Sequence, residues 1–586
     1  MDAGRRLTPK PLRPHTRPLE TILTGCTLGW IALLLASASW PVYGHRHTAP
    51  WLDETRLDQG LYLELRHPSV IRQPGSIEVS AVMSNLTGEG DVLVKQVRYV
   101  PAGSFDSVTH RPQQLLPTKR DPYRRYKAIQ RELVQLAEQG KGEAAGRLYD
   151  ESQTLLREIT EGTFVDKRTI PGQWIPTKVG SSYSLTVQID LLQNGKSRRL
   201  ERRIVIPVQS PLPRGTGQAW LAGDQHLHTL YSIDAFFSSF NRDDVTDYAR
   251  AAQVIGLDWI IISDHSNVDL LIWYDPLLFT AGESQARAFR QSQGYLVLQG
   301  EEMGAGSLGV FNEPAHLLAY PRSVDSTGFL ENPCSLPFSG HLDCEPEQVI
   351  LDRVNSRGGI GFIAHPFSSS LLFFAPWDFD NGAVGWAGME IFNGGFGSSD
   401  EQSFGMWHEL LKEIAPPAGG QLQDRPGFPT RFPVGLGNSD AHEIGSIGKT
   451  FSYARVALLP GESLFREALM EAFVSGRVVA SNGPLVFGTI NGAGTGEVAL
   501  LSAPRNLLEV TLETTAEFGP VGDYEITVFV DGVERSVIPP SGSPEFQTVF
   551  QLNDLLGPAD RFVTIRARRA DQTFLALANP IWLEFQ

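Results

Sequence analysis

Cysteine is scarce: the 586 residues hold three, and Cys26 falls in an N-terminal apolar stretch, which excludes a zinc site built on thiolates. Cys334 and Cys344 lie in a Pro/Gly/Ser-rich stretch, where an oxidising compartment would let them close a short loop. Positive charge is also short. Lys and Arg number 50 against 66 Asp and Glu, a formal net charge of −16. Downstream of residue 51 no basic stripe is long enough to track a phosphate backbone, which argues against nucleic acid as a partner. Charge is missing altogether from residues 21–40, and Arg5, Arg6, Lys10, Arg13 and Arg17 precede that stretch. This is the layout of a signal peptide or a membrane anchor, and Ala36-Ser37-Ala38 fits a small-residue cleavage pattern. The expectation is an exported protein, periplasmic or extracellular, with residues 1–50 removed or kept as an anchor. What the chain has in quantity is core material, 41% hydrophobic and 10% aromatic residues, which excludes a disordered polymer.

A chain of this length exceeds the roughly 250 to 300 residues at which a single core stops growing. Period-two alternation at Leu61, Leu63 and Leu65, at Ile77, Val79, Ala81 and Met83, and later at Tyr183, Leu185, Val187 and Ile189 predicts half-buried strands. Between them Tyr126, Ile129, Leu133 and Leu136, then Leu155, Leu156 and Ile159, follow helical spacing. Residues 51–212 therefore read as a β-sandwich interrupted by a helical hairpin. From 218 to 488 short apolar strands alternate with helices over 243–255, 345–356 and 462–475, which predicts a parallel, barrel-like α/β unit. Residues 415–433, rich in Gly and Pro, read as a surface loop at the mouth of a site. Alternation returns at Leu508, Val510 and Leu512 and flanks Asp531-Gly532, a hairpin signal, so residues 489–586 read as a second β-sandwich. The fold class expected is multidomain, α/β and β.

The central unit carries the chemistry. His226 and His228 sit two apart on an extended segment and so point to one face, where they can clasp one ion. Asp264-His265, Glu302, His316, His365 and Ser439-Asp440-Ala441-His442 follow at or near the ends of further strands. Histidine and carboxylate are the ligand types of hydrolytic divalent metals. Of the 13 histidines, eight fall between residues 218 and 443, denser than structural need requires. His341 and His408 lie outside the motifs and are expected at the surface. Asn393, beside Gly394-Gly395, reads as a turn residue. Lys449 and Arg455 read as exposed basic residues or anion anchors.

In this order the motifs resemble the PHP family, named for polymerase and histidinol phosphatase members, and in particular its exported carbaryl-hydrolase-like metallohydrolase branch. The resemblance rests on Gly223-Asp-Gln-His-Leu-His-Thr229, Asp234, Ser-Asp-His265 and Ser-Asp-Ala-His442. Asn482-Gly-Pro484 and Ala578-Asn-Pro-Ile-Trp582 extend it. One departure is Ile233, which separates Ser232 from Asp234. The resemblance implies a distorted (β/α)7 barrel flanked by the two β-sandwiches, with two or three divalent ions (Zn, Mn or Fe) at its rim. His226, His228, Glu302 and Asp440 would hold the first ion and Glu302, His316 and His365 the second. Asp234, His265 and His442 would hold the third. Glu301 would then face the other way, as a barrel-wall carboxylate or one that supports a ligand. Asp264 would orient a ligand histidine, and His442 would also serve catalysis by stabilising a leaving oxygen. The function implied is hydrolysis of a small-molecule ester, carbamate or phosphoester by metal-bound hydroxide. The alternative is an exported binding or scaffold protein on the same barrel.

Overall fold

The computed structural model describes residues 57–585 apart from 59, 104–105, 139–141, 216–219, 233–234, 236–241, 266–275, 309–312, 323–333, 336–342, 369–374, 418–419, 457–461 and 502–505. The expected export segment, Cys26, Asp234 and His341 lie outside the described residues. Among the described residues no helix is long and apolar enough to cross a membrane.

In the N-terminal region two antiparallel sheets face each other. One runs Leu57–Asp58, Leu61–Arg66, Ile77–Asn85, Phe164–Ile170. The other is built on Val92–Pro101, Ser182–Gln193 and Lys196–Pro207. Alternating side chains of both, among them Leu61, Val79, Val94 and Val187, share one core, as period-two patterning requires. The helices Arg120–Glu138 and Gly142–Thr160 pair with each other, and Tyr126, Leu156 and Ile159 bury against Tyr62 and Val82 of the first sheet. The arginine-rich strand Lys196–Pro207 sits at the edge of its sheet, where charge blunts strand addition. Arg199 bonds Asp190 at 2.6 Å and Arg203 bonds Ser184 at 2.7 Å.

Residues 218–488 do not form the expected (β/α)7 barrel. Most of their strands divide between two sheets. One runs Leu296–Gln299, Trp259–Ile262, Trp220–Asp224, Phe451–Arg455, Val478–Ser481 and continues into the C-terminal strands Leu575–Phe585, Phe562–Arg569, Tyr524–Val530 and Val533–Ile538. The other runs Glu301–Leu308, Glu313–Pro321, Gly359–Ile363, Trp386–Asn393, Val434–Asn438. Among the strands of residues 218–488, Trp220–Asp224, Trp259–Ile262 and Leu296–Gln299 pair parallel in the first sheet, as do Gly359–Ile363, Trp386–Asn393 and Val434–Asn438 in the second. Their other pairings within residues 218–488, and that of Val478–Ser481 with Leu575–Phe585, are antiparallel.

Connection length explains one part of the departure. A parallel pair needs a crossover of about a dozen residues or more. Only residues 309–312 separate Glu301–Leu308 from its antiparallel partner Glu313–Pro321. So short a link turns the chain back on itself. At Gly300 the chain leaves one sheet and enters the other. A Cβ there would stand 3.0 Å from the Ala319 carbonyl oxygen, so only glycine fits without displacement.

The helix Val245–Ile255 starts at a capping box, with Asp244 accepting from the Asp247 amide at 3.1 Å and Asp247 from the Asp244 amide at 2.8 Å. It stops at Gly256, whose φ of 89° is the left-handed value that ends helices. Its apolar face supplies Tyr248, Ala249 and Ala252 to the core beneath the site. Within the expected surface loop Leu422 is buried and its amide donates to Glu584 at 3.2 Å. The strands Cys334–Ser335 and Asp343–Cys344 pair with Cys334 opposite Cys344, and Cys344 is disulfide-bonded. N-terminal and central regions meet through buried charge, in which Arg66 bonds Glu64 at 3.2 Å and Asp243 at 3.4 Å, and Lys167 pairs with Asp243 and Asp247.

Candidate metal centre

The motifs converge where the two sheets meet. Two isolated parallel bridges join the segments there, Leu227 with Ala441 and His265 with Glu302. Leu227 points into the core, so His226 and His228 both point away from it, as a two-residue alternation dictates. Their backbone is pinned on both sides: the Tyr248 hydroxyl donates to the His228 carbonyl at 2.6 Å and the Tyr320 hydroxyl to the Gln225 carbonyl at 2.9 Å. Asp224 accepts from the amides of Ser439 at 3.1 Å and Gly448 at 2.9 Å. That carboxylate ties the His226 segment to the loop carrying Asp440 and His442. Burial pushes Asp224 up to about 6 against the opposing pull of these donors.

Glu302 lies at the middle. Its Oε2 is 3.0 Å from His226 Nε2, 3.1 Å from His228 Nε2 and 3.3 Å from His265 Nε2. Its Oε1 is 2.8 Å from His316 Nδ1 and 3.1 Å from His365 Nε2. One carboxylate thus faces two sets of imidazoles with its two oxygens. The hairpin makes this reach possible, because His316 stands opposite Gly304, which has no side chain in the way, and leans diagonally toward Glu302. Asp440 Oδ1 lies 3.3 Å from His226 Nε2 and 3.1 Å from His228 Nε2. The His442 ring stacks on His228 at 4.3 Å and His265 does so at 4.7 Å.

Eight of the nine expected metal residues are therefore together; the ninth, Asp234, is outside the described residues. The ligand atoms fall into four overlapping groups within 4.8 Å: His226, His228 and Glu302; His226, His365 and Asp440; His265, Glu302 and His316; His228, His265 and His442. His265, expected only in the third set, reaches the Glu302–His316 group as well. These buried clusters could hold a metal ion. The donor chemistry fits one, since His226 Nδ1 is committed to Glu390 at 2.8 Å and His228 Nδ1 stands 3.0 Å from Ser232 Oγ. That leaves each Nε2 lone pair aimed inward, the usual arrangement of metal-bound imidazole.

Burial alone would raise the Glu302 carboxyl, but the imidazoles of His226, His265 and His316 reverse that and hold it well below the ordinary range. His226 moves oppositely. Burial disfavours its cation, yet Asp440, Glu302 and Glu390 raise it well above the usual histidine value. For His365 burial dominates and lowers the ring.

Glu390, Asn393, Asp224 and Ser232 belong to the site although none of them was among the expected metal residues. Glu390 is fully enclosed and accepts from His226 Nδ1, Asn438 Nδ2, the His365 amide at 2.7 Å and Asn393 Nδ2 at 2.8 Å. Asn393, read from the sequence as a turn residue, also donates to Asp440 Oδ2 at 3.2 Å. Strand alternation would set residues 390 and 393 on opposite faces. A register shift between Glu390 and Phe392 removes that constraint. Asp264 accepts from the Thr229 amide at 2.6 Å and the Thr229 hydroxyl at 2.9 Å, so it fixes the chain next to His228. Arg455 pairs with Glu497. His408, expected at the surface, is instead buried, stacked beside Trp407 and 2.9 Å from Thr564 Oγ1. Its neighbours on the helix Ser398–Ile414, Phe404, Trp407 and Leu411, define the inward stripe it shares.

No protein-family model and no curated protein matches the chain. Solved structures that match weakly include the Parabacteroides merdae β-glucuronidase, with 10% identity over 90% of this chain and 65% of that one at a TM-score of 0.17. The Bacteroides uniformis β-glucuronidase matches with 8% identity over 89% and 61%, at a TM-score of 0.16. A bacterial ice-binding adhesin matches with 8% identity over 91% and 100%, at a TM-score of 0.14. The chain spans less than two thirds of either glucuronidase, and at such TM-scores none of these likenesses bears on its chemistry.

Proposed function

We propose that this protein is a metal-dependent hydrolase of small-molecule esters, with phosphoesters and carboxylic or carbamic esters as the substrate classes. The observation that carries the reading is Glu302, buried between five imidazoles with each oxygen facing a different set. The resemblance of the motif order to the PHP metallohydrolases supports the same reading. His226, His228, Glu302 and Asp440 would hold one ion, and Glu302, His316 and His365 a second. His265 and His442 would contribute to a third. A set of imidazoles and carboxylates without thiolate suits Zn, Mn or Fe. Divalent ions bound there would supply Lewis-acid activation of a substrate oxygen and of water.

The protein's own groups give that chemistry direction. His226, His228, Glu302 and His365 are enclosed, whereas His265 and His442 keep 11% and 19% of their side-chain surface open. Substrate then meets the centre from the side of His265 and His442, where an imidazole can steady a leaving oxygen. Glu390, Asp224 and Asp264 keep the enclosed ligands from turning, so little reorganisation is left for the reaction.

Metal analysis of the purified full chain, followed by assay on p-nitrophenyl phosphate, a bis-nitrophenyl phosphodiester and p-nitrophenyl acetate, tests the proposal. Bound divalent metal, turnover of at least one substrate and loss of turnover on chelation are expected. Glu302→Gln should lose more than the roughly 10- to 100-fold typical of residues that only orient a ligand. Absence of both metal and turnover would favour a binding or scaffold role.

A further inference from the structure

We infer that Glu390 is a positioning residue that couples the two halves of the metal centre, so that both ions depend on one buried carboxylate that ligates neither. The inference rests on the metal reading above. Glu390 touches ligands of different sets: its Oε1 is 2.8 Å from His226 Nδ1, and its Oε2 is 2.7 Å from the His365 amide. Through Asn393, which lies 2.8 Å from Oε2 and 3.2 Å from Asp440 Oδ2, it reaches a third. His226, His365 and Asp440 come from three distant stretches of chain, yet their ligand atoms form one group.

The backbone gives a reason for such a hub. His365 has a φ of 24° and Asp440 of 51°, conformations that non-glycine residues adopt only when the surroundings hold them. Glu390 binds the His365 amide directly, and Asn393 binds the Asp440 carboxylate. Four donors meet its two oxygens, so only an acceptor at both positions satisfies them. A glutamine keeps the volume but turns its amide toward two of those donors. The hydrogen bond to His226 Nδ1 also raises the basicity of the Nε2 that faces the centre.

The test is calorimetric titration of the metal-stripped full chain with Zn²⁺, wild type beside Glu390→Gln, with circular dichroism to verify folding. The inference expects both strong binding steps to weaken by roughly 10- to 100-fold, and the visible spectrum of the Co²⁺-loaded protein to shift. Unchanged affinities, or weakening confined to one step, would overturn it. If Glu390→Gln does not fold, Asn393→Ala carries the test. Weaker binding with a shifted Co²⁺ spectrum supports the coupling, and wild-type binding refutes it. A wild-type protein that takes up no Zn²⁺ would refute the metal reading itself and this inference with it, whereas metal uptake indifferent to Glu390 refutes the inference alone.

Discussion

Single side chains in this protein owe their properties to what encloses them, and His408 is the plainest case outside the metal centre. Burial, with Lys412 and Arg566 nearby, pushes its ring down to about 3. Above about 6.5, the ordinary histidine value, His408 is neutral whether the chain is folded or not, and it contributes no pH dependence. Between about 6.5 and about 3 the unfolded chain takes up a proton that the folded chain refuses, so stability falls with falling pH, on the order of 1.4 kcal/mol per pH unit. His408→Phe removes that gradient. Urea unfolding at pH 7 and pH 4.5 should show a smaller acid loss for the variant than for the wild type, and equal losses would contradict the account of His408. The sequence could not reveal this burial from a lone histidine, although the spacing of Phe404, Trp407 and Leu411 around it held the signal.

At the level of elements, the strand Val434–Asn438, which leads into Asp440 and His442, is supported by one residue of the last strand. Asn579 Oδ1 accepts from the Gly435 amide at 2.8 Å, and its Nδ2 donates to the Gly435 carbonyl at 2.8 Å and the Val478 carbonyl at 3.0 Å. A side-chain amide thus imitates a neighbouring strand where the two sheets part. Asn579→Ala should cost roughly 1 to 3 kcal/mol of stability by leaving buried backbone groups unmet, and hydrogen exchange at the Gly435 amide should accelerate. Unchanged protection at Gly435 would remove Asn579 from this role. The helices near 243–255, 345–356 and 462–475 were legible because helical spacing is a local signal. Glu390 was not, because a bulge breaks the alternation from which faces are read.

Across the whole molecule the clustered histidines and carboxylates were legible while the architecture around them was not. His226, His228, His265, Glu302, His316, His365, Asp440 and His442 announce themselves by residue type and by position near strand ends, and they meet. Alternation of strands and helices suggested a closed parallel barrel, but strand direction also depends on connection length: the short link at 309–312 makes Glu301–Leu308 and Glu313–Pro321 an antiparallel hairpin, and most strands of the region divide between two sheets. The C-terminal strands then continue one of those sheets through Val478–Ser481 and Leu575–Phe585. The central claim is that Glu302 bridges two ion positions, and diffraction from metal-soaked crystals at the absorption edge of the metal tests it most directly. The account expects two anomalous peaks flanking Glu302, one among His226, His228 and Asp440 and the other beside His316 and His365; peaks absent from those residues, or confined to the protein surface, would contradict it.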